Sequence, residues 1–418
     1  MLLNRAKIGK HHKNQNMNLR IYRAVGFTGI AQILASAGSH YLPAVTAIPA
    51  SKDLGLSPAT IFAAFSLALC VSAFAGPHVG RLVDRFGGRP VLMMSSVSFA
   101  IALTLLGFSE GLISILIAYA ILGFGMACGL FEVAFATIVR LFGKESRNPI
   151  TGVTLIAGFA SLVGWTTSVY IESKFGWRGT CWFWAATHIL IGLPVNALVP
   201  KPDPVVTPKQ TPTPLAHSEA VAANTTARST ASQHGPGKYT GALLAFVFAA
   251  SSFVGMGLMT HMPRMLEGIG VPLAVAFAIG AFVGPSQVLG RLLDFFFMRR
   301  WHPLIAARIA AFAHPVGATL LMIFGAPVAA LFVVLHGLGN GILIISRGTL
   351  PLAIFGTRGY GQRQGWLMMP SKFAQAAAPF LFGLAVTEWG AGALWLSGGL
   401  GIGIFAALCL ISSKYKPD

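Results

Sequence analysis

Gly80-Arg81-Leu82-Val83-Asp84 closes one long apolar run of the chain, and Gly290-Arg291-Leu292-Leu293-Asp294 closes another. The two segments stand 210 residues apart in a chain of 418, so the sequence reads as two homologous halves. Other landmarks keep a similar offset. Gly123-Phe124-Gly125 and Leu141-Phe142-Gly143 answer to Gly337-Leu338-Gly339 and Ile354-Phe355-Gly356, and His40-Tyr41-Leu42-Pro43 answers to His261-Met262-Pro263. A sustained long-range repeat marks a duplicated unit. Duplicated bundles of membrane helices are the architecture of secondary transporters, which seat substrate between the halves.

Composition places that unit in a membrane. Hydrophobic residues make up 55% of the chain and charged residues 10%. A soluble domain carries about 25% charged residues. Apolar runs of about 18–25 residues, each long enough to cross a hydrocarbon core of roughly 30 Å, recur from Ala24 to Ile411. They define twelve spans at 24–48, 59–80, 91–108, 111–139, 151–171, 181–199, 240–263, 272–293, 304–324, 327–347, 365–387 and 391–412.

The formal net charge of +18 could suggest nucleic acid, but its distribution excludes that partner. With the N-terminus inside, 26 of the 30 Lys and Arg fall in or near the inner segments, leaving only Lys52, Lys174, Arg178 and Arg264 outside. This positive-inside bias predicts that both termini are cytoplasmic and that the lipid bilayer is the partner. The first 23 residues are polar and basic and lack the apolar core of a signal peptide. Cys70, Cys128, Cys181 and Cys409 lie in or beside spans without a CxxC pair and read as small apolar fillers.

One break interrupts the pattern. From Pro200 to Tyr239 the chain carries seven prolines among Thr, Ala, Ser and Lys, too little apolar surface to offset its ordering entropy. The expected organisation is a six-helix half over 1–199, a flexible cytoplasmic linker over 200–239 and a second six-helix half over 240–418. Asn224-Thr225-Thr226 fits a glycosylation pattern, but on the inner side it is read as accidental.

Gly80-Arg81-Leu82-Val83-Asp84-Arg85-Phe86-Gly87-Gly88-Arg89-Pro90 resembles the loop between helices 2 and 3 of the major facilitator superfamily. With twelve spans, a central linker and the degenerate copy at Gly290–Asp294, the resemblance covers essentially the whole chain. It implies an all-α membrane protein of two pseudo-symmetric six-helix halves. It also implies a gating motif made of Gly80, Asp84, Arg85, Gly88 and Arg89, repeated at Gly290, Arg291 and Asp294. Asp84 would cap or pair with the inner end of the opposite half, and Arg85 and Arg89 would latch the inward gate. Phe142-Gly143-Lys144-Glu145-Ser146-Arg147 and Phe175-Gly176-Trp177-Arg178 are similar to bacterial monocarboxylate-transporter-like members. The acidic-glycine-aromatic signature of their first helix is absent. Their eighth helix carries an Arg before its Pro, where this chain reads Gly284-Pro285-Ser286-Gln287. The helix-4 Arg and the helix-5 Gly-Pro motif of drug antiporters are also absent.

Ionisable groups inside a bilayer cost on the order of 2.5–3.5 kcal/mol each, so each one requires a reason. Glu132 in span 4 has apolar neighbours and could carry a proton, or could pair with Arg347 or Arg140. Arg347 in span 10 and Lys372 in span 11 could make a positive cavity for an anion, or could snorkel to water. His40 and His261 occupy equivalent places near the outer ends of spans 1 and 7. They could sense protons or bind substrate across the outer gate, or be satisfied core residues. Gln32, Asn340 and Gln375 are candidate cavity linings, and His188, His314 and His336 are packing or lining groups. No catalytic motif, cofactor site or metal site is present in the pattern.

The expected protein is an inner-membrane carrier that moves a small organic anion, a monocarboxylate, together with protons by alternating access. The alternatives are a proton-driven exporter of amphipathic or toxic molecules, and a transporter-derived membrane sensor, for which the linker offers no signalling domain.

Overall fold

A computed structural model describes residues 2–202 and 237–412; most of the expected linker, with Asn224, and the last six residues lie outside the described residues. Every expected span is helical. Span 1 comprises Leu2–Ser36, a π turn Ala37–Tyr41 and Leu42–Asp53. Spans 2 and 3 are Pro58–Phe86 and Gly88–Gly107, and span 4 is Leu112–Gly129 followed by Phe131–Phe142. Span 5 opens with Arg147–Ala157 and continues into Ala160–Thr187, whose second part, with a π turn and Leu193–Ala197, forms span 6. Span 7 is Thr240–Glu267, and span 8 is Leu273–Ala281, Val283–Leu293 and the π turn Asp294–Met298. Spans 9 to 12 are Pro303–Phe324, Ala329–Phe355, Tyr360–Trp389 and Ala393–Leu410.

Local chemistry accounts for the punctuation. Ser57 caps span 2 by accepting a 3.1 Å bond from the Thr60 amide, and Pro58 occupies the first helical position, where its missing N–H costs nothing. Spans 2 and 3 are joined through a single residue, Gly87, at φ +83°, a conformation that only glycine adopts freely. Gly176 at φ +67° turns the chain between spans 5 and 6 within an otherwise continuous helical stretch. Pro43 follows the π turn of span 1, where the widened turn relieves the clash between the proline ring and the preceding backbone. Eight continuous helical stretches among the described residues are long and apolar enough to cross a bilayer. Two of these, Leu112–Ala197 and Tyr360–Leu410, contain several spans each, and span 1, diluted by Gln32, Ser36, Ser39 and His40, is not among them.

The interior has four buried apolar clusters, two drawn chiefly from spans 1–6 and two from spans 7–12. Leu352 and Tyr360 of the second half join a first-half cluster around Phe135 and Ile138. Lipid-facing surface is supplied by exposed apolar side chains such as Phe74, Ile113, Phe296 and Leu410. Because hydrocarbon is as apolar as leucine, helices in lipid associate through close packing of small residues. Spans 2 and 11 show this directly. A Cβ placed on Gly80 would strike the Gly361 carbonyl, and one on Gly365 would fall within 2.6 Å of the Gly76 and Pro77 backbone. Both helices carry the Gly-x-x-x-Gly spacing that aligns small residues on one face.

Gly80→Val is expected to destabilise the purified protein by about 1–3 kcal/mol, the usual cost of overpacking. Gly284→Ala, whose added Cβ meets nothing within 4 Å, serves as the control. Fluorescence-detected thermal melts in detergent would show a lowered midpoint for the first substitution alone.

Candidate functional site

The centre of the bundle is organised by a break in span 4. Its first helix stops at Gly129 because Leu130 takes extended backbone, φ −88° and ψ −174°. The break frees carbonyls, and the Gln32 amide of span 1 donates to that of Gly129 at 2.6 Å. A new helix then begins at Phe131, with Glu132 in its first turn, where the positive end of the helix dipole favours an anion.

Glu132 Oε1 meets Lys372 Nζ at 3.2 Å. The acid belongs to span 4 and the base to span 11, so this ion pair joins the two six-span halves across the centre. Lys372 is buried and turned inward rather than snorkelling. Arg347 stands within electrostatic reach of the same carboxylate, its Nη2 is 3.4 Å from Ser251 Oγ, and its Nε has no partner. Arg140, the other expected partner, is exposed in the last turn of span 4. Two cations therefore share one acid. The pair borders a narrow cleft with Ser72, Gly76, Met368 and Met369, with room for about one water.

The two histidines do not meet each other. His40 interacts with the Gln375 side chain, within reach of Lys372 and Glu132, and stands edge-on to Phe65 at 6.1 Å. His261 Nε2 donates to the Pro379 carbonyl at 2.8 Å, and its ring lies against Phe382. Both turn towards span 11, so only His40 joins the charged centre. Asn340 lies beside Gly255 of span 7. His188 stacks on Phe99 at 4.7 Å, and His314 and His336 bond to each other through their Nδ1 atoms at 3.1 Å.

At one end of the bundle, Asp84 accepts hydrogen bonds from the amides of Gly361 and Gln362, both at 2.9 Å. These amides open the span 11 helix, and the first amides of a helix have no partner within it. A carboxylate from one half thus caps the positive end of a helix in the other. Arg85 lies over the ring of its own neighbour Phe86 at 5.0 Å, and Arg89 lines a groove with Arg20 and Arg23. Gly88 packs against Thr137 of span 4.

The second copy makes the equivalent contact with different chemistry. Gly290 packs against the Leu338 carbonyl within its own half. Arg291 is buried, and its Nη1 donates to the Thr154 carbonyl of span 5 at 2.8 Å. Asp294 lies 3.8 Å from Arg147, at the start of span 5. Arg147 also donates to the carbonyls of Trp301 and, at 2.9 Å, Met298, which fastens it to the end of span 8. Sequence reading did not select Arg147 as a site residue. The internal repeat held the signal, because an offset of 214 residues carries Arg147 onto Gly361, the contact of Asp84.

Residues 28–359 match the family described as Major Facilitator Superfamily. Human monocarboxylate transporter 11 is 28% identical over 249 residues, covering 57% of this chain and 48% of the relative. MdtL of Klebsiella pneumoniae, a multidrug resistance protein, is 28% identical over 39% of this chain and 42% of its own length. A probable 4-methylmuconolactone transporter of Cupriavidus pinatubonensis is 28% identical over 34% of the chain and 33% of its own. The matches thus span about half or less of each relative's length. Among solved structures, the proton:xylose symporter XylE superposes with a TM-score of 0.70 at 14% identity, covering 93% of this chain and 95% of XylE. That likeness establishes the fold.

Removing one partner of a buried ion pair costs about 3–5 kcal/mol, because the other charge is left uncompensated. Lys372→Met is therefore expected to lower the melting midpoint less than Glu132→Gln, since Arg347 still faces the acid in the first variant whereas the second strands both cations. Thermal melts of the two variants check this. Where Asp84 caps span 11, Asp84→Asn is expected to weaken the contact between the halves by roughly tenfold or more, given about 1.5–3 kcal/mol for charge-assisted hydrogen bonds. Faster maleimide labelling of a cysteine at Gln362 would report it.

Proposed function

Since the chain belongs to the Major Facilitator Superfamily, and is a multi-pass membrane transporter rather than an enzyme, we propose that it carries a small organic anion, a monocarboxylate, with protons by alternating access. The observation that carries this reading is the Glu132–Lys372 pair with Arg347 beside it. While Glu132 is ionised it is the counter-ion of the two bases. A proton on Glu132 removes that counter-ion and leaves Lys372 and Arg347 to receive a substrate carboxylate. Loss of the proton returns the Glu132 charge to Lys372 and expels the substrate. Because the pair spans the halves, its exchange for substrate is linked to the movement of 1–199 against 240–418. The loop charges favour an orientation in a bacterial inner membrane with the signature loop and both termini in the cytoplasm. Relatives named for monocarboxylate and 4-methylmuconolactone transport support a small organic substrate.

A second reading, proton-driven export of amphipathic compounds, is favoured by the similarity to MdtL proteins. Proteoliposomes separate the two readings. A panel of lactate-like acids, dicarboxylates and lipophilic cations would be offered under an imposed proton gradient, with tracer uptake as the readout. Acid-driven accumulation of carboxylates alone is expected. Glu132→Gln is expected to abolish that accumulation while retaining substrate exchange. Unchanged accumulation by the variant would overturn the role of Glu132, and movement of lipophilic cations alone would establish export.

A further inference from the structure

A cavity of about 460 Å³ lies away from the charged centre. It is a groove at the signature-loop end, between the start of spans 1 and 3 and the end of span 6. Arg20 and Arg23 line it from span 1, Arg89 from span 3, and Lys201 from the segment that follows span 6. Among the described residues no acid lines it, and the chain has no Asp or Glu before Asp53. Arg23 and Arg89 form no ion pair with a carboxylate among the described residues.

Two features make this more than a patch of surface cations. The first concerns the wall of the groove. Arg20 Nη2 donates to the Lys201 carbonyl at 2.6 Å, which holds the chain after span 6 against span 1, and Pro202 lies beside Gly87 in the signature loop. Span 3 then begins at Gly88 without a side-chain cap, so Arg89 in its first turn adds to the positive end of the helix instead of offsetting it. The second is apolar surface beside the charge. Leu19 and Leu198 line the same groove and are 58% and 48% exposed. A ligand that satisfies both surfaces has an anionic head and a hydrocarbon tail.

We propose that this groove seats an anionic phospholipid. Its phosphate lies between Arg23 and Arg89, and an acyl chain runs along Leu19 and Leu198. Basic pockets between spanning helices at the membrane surface suit such headgroups. Through Arg89, the lipid would bear on the loop whose Asp84 caps span 11. Soluble phosphate shares the headgroup chemistry but leaves the leucines wet.

Native mass spectrometry of the full chain, titrated with phosphatidylglycerol or phosphatidylcholine in detergent, tests the assignment. Wild type is expected to retain phosphatidylglycerol selectively. Arg23→Gln with Arg89→Gln is expected to bind it roughly 10–30-fold more weakly, from about 1 kcal/mol per basic residue near the headgroup. Arg299→Gln with Arg300→Gln, exposed elsewhere at the same end, is expected to match wild type. Equal retention by the groove variant, or displacement of the lipid by glycerol 3-phosphate at comparable concentration, would overturn the proposal. The latter result would identify a soluble phosphate site. If the double variant fails to fold, Arg23→Gln alone, on an exposed residue, gives the same readout at smaller amplitude.

Discussion

Spans 2 and 11 touch backbone to backbone, and much of the architecture between the halves follows from that contact. With glycine at 76 and 80 facing glycine at 361 and 365, the two helices approach more closely than any side chain allows. In that register the Asp84 carboxylate reaches the amides of Gly361 and Gln362. Lys372 is seven residues beyond Gly365, two helical turns along the same face, which presents its ammonium to Glu132. Further along the seam, Ser66 Oγ donates to the Ala376 carbonyl at 3.3 Å. One stripe of small residues thus sets the positions of a helix-capping contact and of a central ion pair.

The central pair depends equally on an interruption. An unbroken span 4 would give Glu132 no helix end to face, and burying its charge in a membrane interior would be costly. The break at Leu130 places the acid at a helix start beside Lys372 and Arg347, while Gln32 satisfies a carbonyl that the break exposes. Gln32 Oε1 and Arg347 Nε nevertheless remain buried without a hydrogen-bond partner, and the cations at the centre outnumber the acid by one.

The duplicated halves have diverged at the contact they share. The first copy uses a carboxylate on backbone amides, whereas the second uses Arg291 on a carbonyl of span 5 and Asp294 near Arg147. A helix start offers positive charge and the last turn before a break offers exposed carbonyls, so either polarity of side chain can hold the opposite half. Asp84 meets two amides with both oxygens, whereas Asp294 Oδ2 has no partner and its ion pair is long. The seam between spans 2 and 11 is therefore the more tightly bonded of the two.

The sequence by itself determined the twelve spans, the duplication and the family, because a hydrocarbon core imposes long apolar helices and the repeat preserves their order. The partner of Glu132 was not so determined: the sequence pointed to Arg347 or Arg140, whereas the structure pairs the acid with Lys372, a choice that rests on the depth at which spans 4 and 11 meet. His40 and His261 look equivalent in sequence, yet only His40 joins the charged centre, because span 11 presents Gln375 to one and a proline carbonyl to the other. Arg147 and the groove around Arg89 likewise emerged only when distant segments were packed together. Tertiary structure decided these points because a contact across the halves depends on helix register and tilt, and neither is written in the local pattern of any one span.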